Sequence, residues 1–257
     1  SDGKKSLTPG QYYSRLTKRL INSLTAPTAE GNLFEVDMRL RPSGTAGPLA
    51  SHIDAFTKYH DESSWAWEHM ALAKARAISG KAKFITQVNQ IIEKTLTRSR
   101  EPTQLLADVA EMRERIEKEH GTDSILEIKY FRGGIVDIEF IVQYLQLRHA
   151  ADHPSVLCSN TAGALENLAA LKLLDDSDAE LLQRALSIFQ SIQGHLRLTL
   201  EGQLDGRSLL MLPKPLQRSL VDLGEFNTTE DLEVFLETLS TRVFTVFKKI
   251  LGDAPTG

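Results

Sequence analysis

The chain has 257 residues, of which 41% are hydrophobic and 25% are charged, and these ordinary globular values exclude wholesale disorder. The net charge of -4 argues against a nucleic-acid-binding protein, whose contact face needs a basic excess. One cysteine excludes an internal disulfide, and no stretch approaches the roughly 20 apolar residues of a membrane span. We expect a cytoplasmic protein without a nucleic acid or membrane partner. The sequence begins at Ser1, without an initiator methionine or a hydrophobic signal region. We therefore expect a piece of a longer chain or a processed form.

The first two predicted elements differ in their hydrophobic period. Apolar residues at helical spacing predict a helix from Leu7 to Leu24, after the start signal of Thr8 and Pro9. The segment from Leu33 to Arg41 alternates instead, which predicts a strand. Its apolar face consists of Phe34, Val36, Met38 and Leu40, and its polar face consists of Glu35, Asp37, Arg39 and Arg41.

The rest of the chain predicts mainly helices. Residues 124–131 alternate weakly and are interpreted as a second strand, and a helix begins after Gly133 and Gly134 and runs to about Leu147. The fold class expected is therefore mainly α with a small β portion, ending in a helical bundle from about Asn160 onward. The other helices are predicted at residues 52–59, 65–78, 84–96, 103–119, 161–174, 178–200, 215–223 and 229–251.

The polar face of the first predicted strand is the clearest chemical signal. Carboxylates that hold Mg²⁺, beside arginines that neutralise phosphate oxygens, are what phosphoryl and nucleotidyl transfer require. Arginine suits this role because its planar fork contacts phosphate bidentately. We expect Asp37 to project beside Arg39 and Arg41 toward bound cations and a triphosphate. The alternative is a solvated edge strand with surface ion pairs.

A second candidate segment runs from Lys129 to Val142. Gly133 and Gly134 allow close backbone approach at a helix start, where free N–H groups attract an anion, and Lys129 and Arg132 add positive charge. Two adjacent glycines are also typical of an ordinary turn.

The helix that follows is apolar nearly all round, which indicates burial. Asp137 and Glu139 therefore begin in an apolar environment, where an unpaired charge is costly. Asp137 lies in the first turn, where the helix dipole favours it. Glu139 needs a cationic partner, either Lys129 or a strand arginine, and a structural salt bridge is as good an interpretation as a functional role. The two acids point about 200° apart, so they cannot share one metal ion.

Three separated motifs, taken in order, resemble the bacterial glutamine synthetase adenylyltransferase family, a bifunctional adenylyltransferase and adenylyl-removing enzyme. They are residues 36–44 (VDMRLRPSG), 65–76 (WAWEHMALAKAR) and 133–141 (GGIVDIEFI). Arg41-Pro42-Ser43-Gly44 and Trp67-Glu68-His69 resemble the carboxy-terminal, adenylylating half, truncated at its start. We interpret the paired tryptophans, Trp65 and Trp67, as packing residues between helices.

The resemblance implies a transfer of AMP from ATP to a tyrosine of glutamine synthetase, with two Mg²⁺ ions in the complete site. It implies that Asp37 is catalytic and the third metal carboxylate, that Arg39, Arg41, Lys129, Gly133 and Gly134 bind nucleotide or phosphate, and that Asp137 and Glu139 support them. It further implies residues 1–48 as the second part of a nucleotidyltransferase fold, 49–150 as a helical insert with a strand and helix that complete the catalytic region, and 151–257 as a helical bundle that is a candidate regulatory region.

One departure from the family pattern concerns the metal ligands. The family carries a Gly-Ser-x-x-Asp-x-Asp loop before the first helix, and no such string exists in this sequence. A two-metal site needs several carboxylates, so the chain by itself is expected to be inactive. Its fold would be a remnant that lacks the first strands of the nucleotidyltransferase domain.

Two other interpretations stay open. In the family, adenylylation responds to glutamine as an effector and to the PII signal protein, so the helical bundle could be a regulatory module that binds one of them. The chain could also be an unrelated helical scaffold whose charged strand is only a solvated edge.

Overall fold

The fold is that of a computed structural model, which describes residues 7–29, 31, 36–199, 208–223 and 226–252. Within these ranges the secondary structure is helical apart from turns, loops and an isolated bridge between Thr28 and Gly31. The mainly α prediction is therefore confirmed. The α-helices are α1 (Pro9–Leu24), α2 (Ile53–Glu62), α3 (Ala66–Ala73), α4 (Ala82–Leu96), α5 (Pro102–His120), α6 (Ile135–His149), α7 (Thr161–Ala170), α8 (Asp176–Thr199), α9 (Lys214–Leu223) and α10 (Thr229–Leu251).

Helix α6 forms the centre of the molecule. It packs against α3, α5, α7, α8 and α10, and nearly all of its side chains are buried. A helix that is apolar around its whole circumference can satisfy every face only when it is surrounded. The hydrophobic core that it anchors runs from Met70 to Leu251 and crosses the predicted division at residue 150, so that division stays a prediction.

The first helix has a different environment. Thr8 and Gln11 form a capping box at its start, which satisfies two otherwise unpaired donors. None of its residues is buried, although apolar side chains line one face at helical spacing. Tyr12, Tyr13, Leu16 and Leu20 are about half exposed. The helix predicted from Leu7 to Leu24 is thus confirmed, with all of its residues at least partly exposed.

The first predicted strand is wrong over the residues that the structure describes. Residues 36–38 have no regular structure and Arg39 and Leu40 form a turn, while residues 32–35 lie outside the described residues. Ser43 then takes a left-handed conformation with φ 61°. A lone strand is not stable because its N–H and C=O groups need a neighbouring strand, and none is present among the described residues.

The second predicted strand is also wrong. Residues 125–127 form a short 3₁₀ helix, and turns continue from there to Gly133. Ile125 and Leu126 are adjacent and both buried, whereas a strand would place them on opposite faces. Hence the small β portion of the predicted fold is absent from the described residues, and the nucleotidyltransferase remnant stays a prediction.

Two predicted helices end earlier than expected. Helix α3 stops at Ala73 rather than at Ile78, and α7 stops at Ala170 rather than at Leu174. In α7 the reason is local: Lys172 adopts a left-handed φ of 56°, and the N–H of Leu173 donates to the carbonyl of Leu168. A left-handed residue with this reversed bond closes a helix.

Candidate functional site

Asp37 and Arg39 form an ion pair with each other through several hydrogen bonds. The backbone N–H of Arg39 donates to Asp37 Oδ1 at 2.8 Å, and the guanidinium Nη2 donates to Oδ2 at 2.9 Å. The Asp37 side chain is 53% exposed. The side-chain and backbone hydrogen bonds from Arg39 hold the pKa of the Asp37 carboxyl below its ordinary value. Asp37 is thus a carboxylate that carries its charge at neutral pH and faces solvent beside a single guanidinium.

Arg41 points elsewhere. Its guanidinium donates to three backbone carbonyls, those of Met38 at 2.5 Å, Gly47 at 3.1 Å and Thr45 at 3.1 Å. These bonds hold residues 38–47 in a compact loop. The structure therefore brings Arg39 next to Asp37, but it does not bring Arg41 there. A phosphate-binding role for Arg41 stays a prediction, and it requires the guanidinium to exchange these three carbonyl contacts for phosphate oxygens.

The loop that carries Asp37 lies against other parts of the chain. The hydrogen bond with Asp37 raises the pKa of Arg39 most, and the charges of Glu119 and Tyr130 raise it further. A cavity of about 420 Å³ begins at Leu40 and Pro42 of the same loop. Lys74 and Arg76 add positive charge to its lining. Its other walls include apolar residues of α2, α3 and α4, namely Phe56, Leu72, Val88 and Ile92.

The Gly133-Gly134 turn is packed closely against protein. Gly133 has a φ of 77°, and a Cβ there would lie 1.8 Å from the backbone oxygen of Ser240 in α10. The N–H groups of Ile135 and Val136 donate to the carbonyls of Ile128 and Lys129 at 3.1 Å each. The predicted close approach therefore exists, with a neighbouring helix as the partner. The phosphate-binding role of the two glycines stays a prediction.

Asp137 is fully buried and joins this turn to α5. Its Oδ2 accepts the N–H of Gly133 at 2.6 Å, and its Oδ1 accepts Nε of Arg113 at 2.5 Å. Arg113 is 2% exposed and also donates to Glu117 at 2.8 Å. Glu117 in turn pairs with Arg132 at 3.3 Å. This chain of charges is buried at Asp137 and Arg113 and partly exposed at Glu117 and Arg132, and it fixes the position of the turn.

Glu139 has the cationic partner that burial demanded, but neither predicted candidate supplies it. It forms an ion pair with Lys74, the residue that directly follows α3. Lys129 instead places its ammonium group 4.7 Å from the ring centroid of Tyr130. Hence Glu139 links α6 to the rim of the cavity beside the Asp37 loop.

His69, in the second motif, lies in a polar cluster beneath α3. Its Nε2 lies 2.7 Å from Ser64 Oγ, and its Nδ1 lies 3.3 Å from Nη2 of Arg100. Since a guanidinium can only donate, Nδ1 accepts and Nε2 carries the proton. Burial, with the positive charge of Arg100, lowers the pKa of His69 to about 4.

This cluster predicts a specific loss of stability in acid. The unfolded chain takes up a proton near pH 6.5, whereas the folded chain resists it until about pH 4, so stability falls as the pH drops through this window. Between pH 7 and pH 5 we expect the free energy of unfolding of the wild-type chain to fall by about 1–2 kcal/mol more than that of the His69→Gln variant. This figure allows for partial screening of His69 by solvent. Urea unfolding at the two pH values measures the difference. Equal losses would mean that His69 titrates normally.

The described residues do not by themselves fit a two-metal centre. No group of three or more His, Cys, Asp or Glu side chains within them could hold a metal ion. Asp37 supplies one carboxylate, and its oxygens already accept bonds from Arg39. A site for two cations needs several such ligands.

Sequence reasoning missed Arg113, and a signal for it existed. Leu105, Val109 and Arg113 follow each other at four-residue spacing on α5, and all three are buried. A cation on the buried apolar face of a helix needs a buried acid as its partner. Asp137, which was predicted to be buried, was the candidate for that acid.

Comparison with known proteins matches two family models to consecutive parts of the chain. The family model described as glutamate-ammonia ligase adenylyltransferase matches residues 1–91, and the model described as GlnD PII-uridylyltransferase matches residues 103–251. The chain belongs to the glutamine synthetase adenylyltransferase family. The second match covers more than half of the chain and includes α5 to α10.

Three curated relatives carry the same printed name, bifunctional glutamine synthetase adenylyltransferase/adenylyl-removing enzyme. The one from Rhodopseudomonas palustris strain BisB5 is 42% identical over 98% of this chain, and the one from Bradyrhizobium diazoefficiens is 40% identical over 99%. The one from Xanthobacter autotrophicus is 37% identical over 99%. The chain spans 25% of the length of each relative.

Among the described residues, none of the helices combines the length and the apolar character that crossing a membrane requires.

Proposed function

We propose that the protein to which this chain belongs attaches AMP, taken from ATP, to a tyrosine of glutamine synthetase, and that this chain is part of its carboxy-terminal, adenylylating half. The observation that carries the proposal is the Asp37–Arg39 pair, which lies in the first family motif beside a cavity of about 420 Å³. Relatives with the corresponding name support the choice of substrate.

The cavity suits the apolar part of a nucleotide. Its volume falls within the range of about 300–1,000 Å³ that small-molecule sites occupy. Leu40 and Pro42 place its mouth within a few residues of Asp37, while Lys74 and Arg76 lie at its edge. We propose that the adenosine enters between α3 and α4 and that its phosphates lie toward Arg39.

Each charged group then has a stated role. Arg39 neutralises phosphate oxygens as negative charge develops, which a guanidinium does well because its donors form a planar fork. Asp37 is the candidate ligand for Mg²⁺, and the site is completed by carboxylates that the described residues do not supply. The phenolic oxygen of the substrate tyrosine attacks the α-phosphorus, and pyrophosphate leaves with the electron pair of the broken bond.

Transfer of label from α-³²P-ATP to purified glutamine synthetase tests the proposal. We expect the full-length parent to label a tyrosine of its substrate in the presence of Mg²⁺, and the 257-residue chain alone to give no label above background. Absence of transfer by the parent would refute the proposed function. Transfer by the chain alone would refute only its proposed dependence on other ligands.

A second candidate function has its own observation. The match of residues 103–251 to a model named for PII-uridylyltransferase favours a regulatory role for the bundle from α5 to α10. The ligand would be the PII signal protein, or glutamine as a small effector. Binding of PII by the chain without nucleotide would favour this second function.

A further inference from the structure

A groove of about 350 Å³ lies away from the Asp37–Arg39 pair, where the start of α3 meets the middle of α5. Trp65 and Trp67 form one wall, and Asp108, Glu111, Met112 and Arg115 form the other. Trp65 is 70% exposed, although both tryptophans were predicted to pack between helices. Tryptophan is enriched among the residues that dominate binding interfaces, so an exposed indole at the wall of a groove is a candidate contact for a partner.

The charges in the groove favour a cation. Glu111 and Arg115 pair with each other across one helical turn, so they neutralise each other. Asp108 accepts a hydrogen bond from the amide of Gln104 at 2.8 Å. Across the ranges that the structure describes, no cationic side chain pairs with Asp108. One carboxylate without a cationic partner therefore lies in the same groove as the exposed indole of Trp65, and the combination attracts a guanidinium or an ammonium group.

The position of the groove favours a macromolecule over a nucleotide. Glu119, whose charge reaches Arg39, lies on the same helix as Asp108 and about 16 Å further along it, at 1.5 Å of rise per residue. The nucleotide-sized cavity at Leu40 and Pro42 is a separate space with different walls. A protein that presents a tyrosine at Asp37 would extend over this distance and cover the groove.

We propose that the Trp65–Asp108 groove binds an arginine or lysine side chain of the protein substrate, glutamine synthetase, and thereby docks it. The inference rests on the proposed function. It assigns the groove to substrate recognition and gives no part in the chemical step to its residues. The indole supplies a face for the cation, and Asp108 supplies the opposite charge.

The test measures the two substrates of the full-length parent separately. In Trp65→Ala and in Asp108→Asn we expect the KM and the Kd for glutamine synthetase to rise about tenfold, the size of one lost cation contact. Asp108→Lys should raise both further, since like charges repel. The KM for ATP and kcat should stay within about twofold, since neither residue touches the nucleotide. Thermal unfolding of each variant establishes that it is folded.

Matched controls lie on other helices. Glu180→Gln on α8 and Val234→Ala on α10 change an exposed acid and an exposed apolar residue outside the groove and should leave every constant unchanged. An unchanged Kd for glutamine synthetase in both groove variants would overturn the inference while leaving the proposed function intact. Equal changes in kcat and in the KM for ATP would also overturn it, because the groove would then belong to internal packing. A wild-type parent that neither binds nor labels glutamine synthetase would refute both proposals.

Discussion

Replacing Asp137 with alanine is expected to lower the free energy of unfolding by about 3–5 kcal/mol, the usual cost of breaking a buried ion pair. The variant leaves Arg113 buried with only the partly exposed Glu117 as an acidic partner, and the N–H of Gly133 without its acceptor. Both losses occur where α5, α6 and the Gly133-Gly134 turn meet. Urea unfolding of the 257-residue chain, followed by circular dichroism, measures the change.

Two further variants separate charge from packing. The double substitution Arg113→Met with Asp137→Leu removes both charges, so it should be less destabilised than Asp137→Ala, since no lone buried charge remains. Asp175→Ala breaks an ion pair with Lys249 at the surface and should leave the unfolding transition almost unchanged. If Asp137→Ala unfolds at the same urea concentration as wild type, the buried pair does not stabilise this junction.

The second large effect concerns activity. If the proposed function holds, Asp37→Asn in the full-length parent should reduce kcat for AMP transfer about 10³-fold, since losing the proposed metal ligand would remove several kcal/mol of transition-state stabilisation. The side chain is 53% exposed and bonded only to Arg39 among the described residues, so the fold should be unaffected. Initial rates of label transfer from α-³²P-ATP give kcat, and thermal unfolding establishes the fold.

A neighbouring acid provides the control for this substitution. Asp54 in the first turn of α2 is also exposed, with His52 as its partner. Asp54→Asn should keep the wild-type rate because its carboxylate lies outside the loop of residues 36–47. A rate for Asp37→Asn within threefold of wild type would favour the alternative interpretation, in which residues 36–41 are only a charged surface segment.

The positions of the helices could be predicted from the sequence because periodicity and capping act over a few residues. The apolar line of α1 with its start signal at Thr8 and Pro9, and the apolar circumference of α6, each indicate a helix without reference to the rest of the chain. Burial of Asp137 and the need of Glu139 for a cation could be predicted for the same reason. The family resemblance also depended only on short motifs.

The two predicted strands show where local patterns stop being sufficient. Alternation between polar and apolar residues stabilises a strand only if another strand completes its hydrogen bonds. Around Arg41 those carbonyls are bound by a guanidinium instead, and Ile125 and Leu126 are both buried on a 3₁₀ turn. A sequence pattern does not record whether the partner strand is present.

The sequence by itself determined where the helices lie, apart from the ends of α3 and α7, that helix α6 is buried, and which family the motifs resemble, because these depend on residues close together along the chain. Only the tertiary structure decided the partners. Arg113 pairs with Asp137, Lys74 rather than Lys129 or a strand arginine pairs with Glu139, and the backbone of Ser240 lies closely against Gly133. These contacts join residues far apart in sequence, and their geometry follows from how the helices pack around α6.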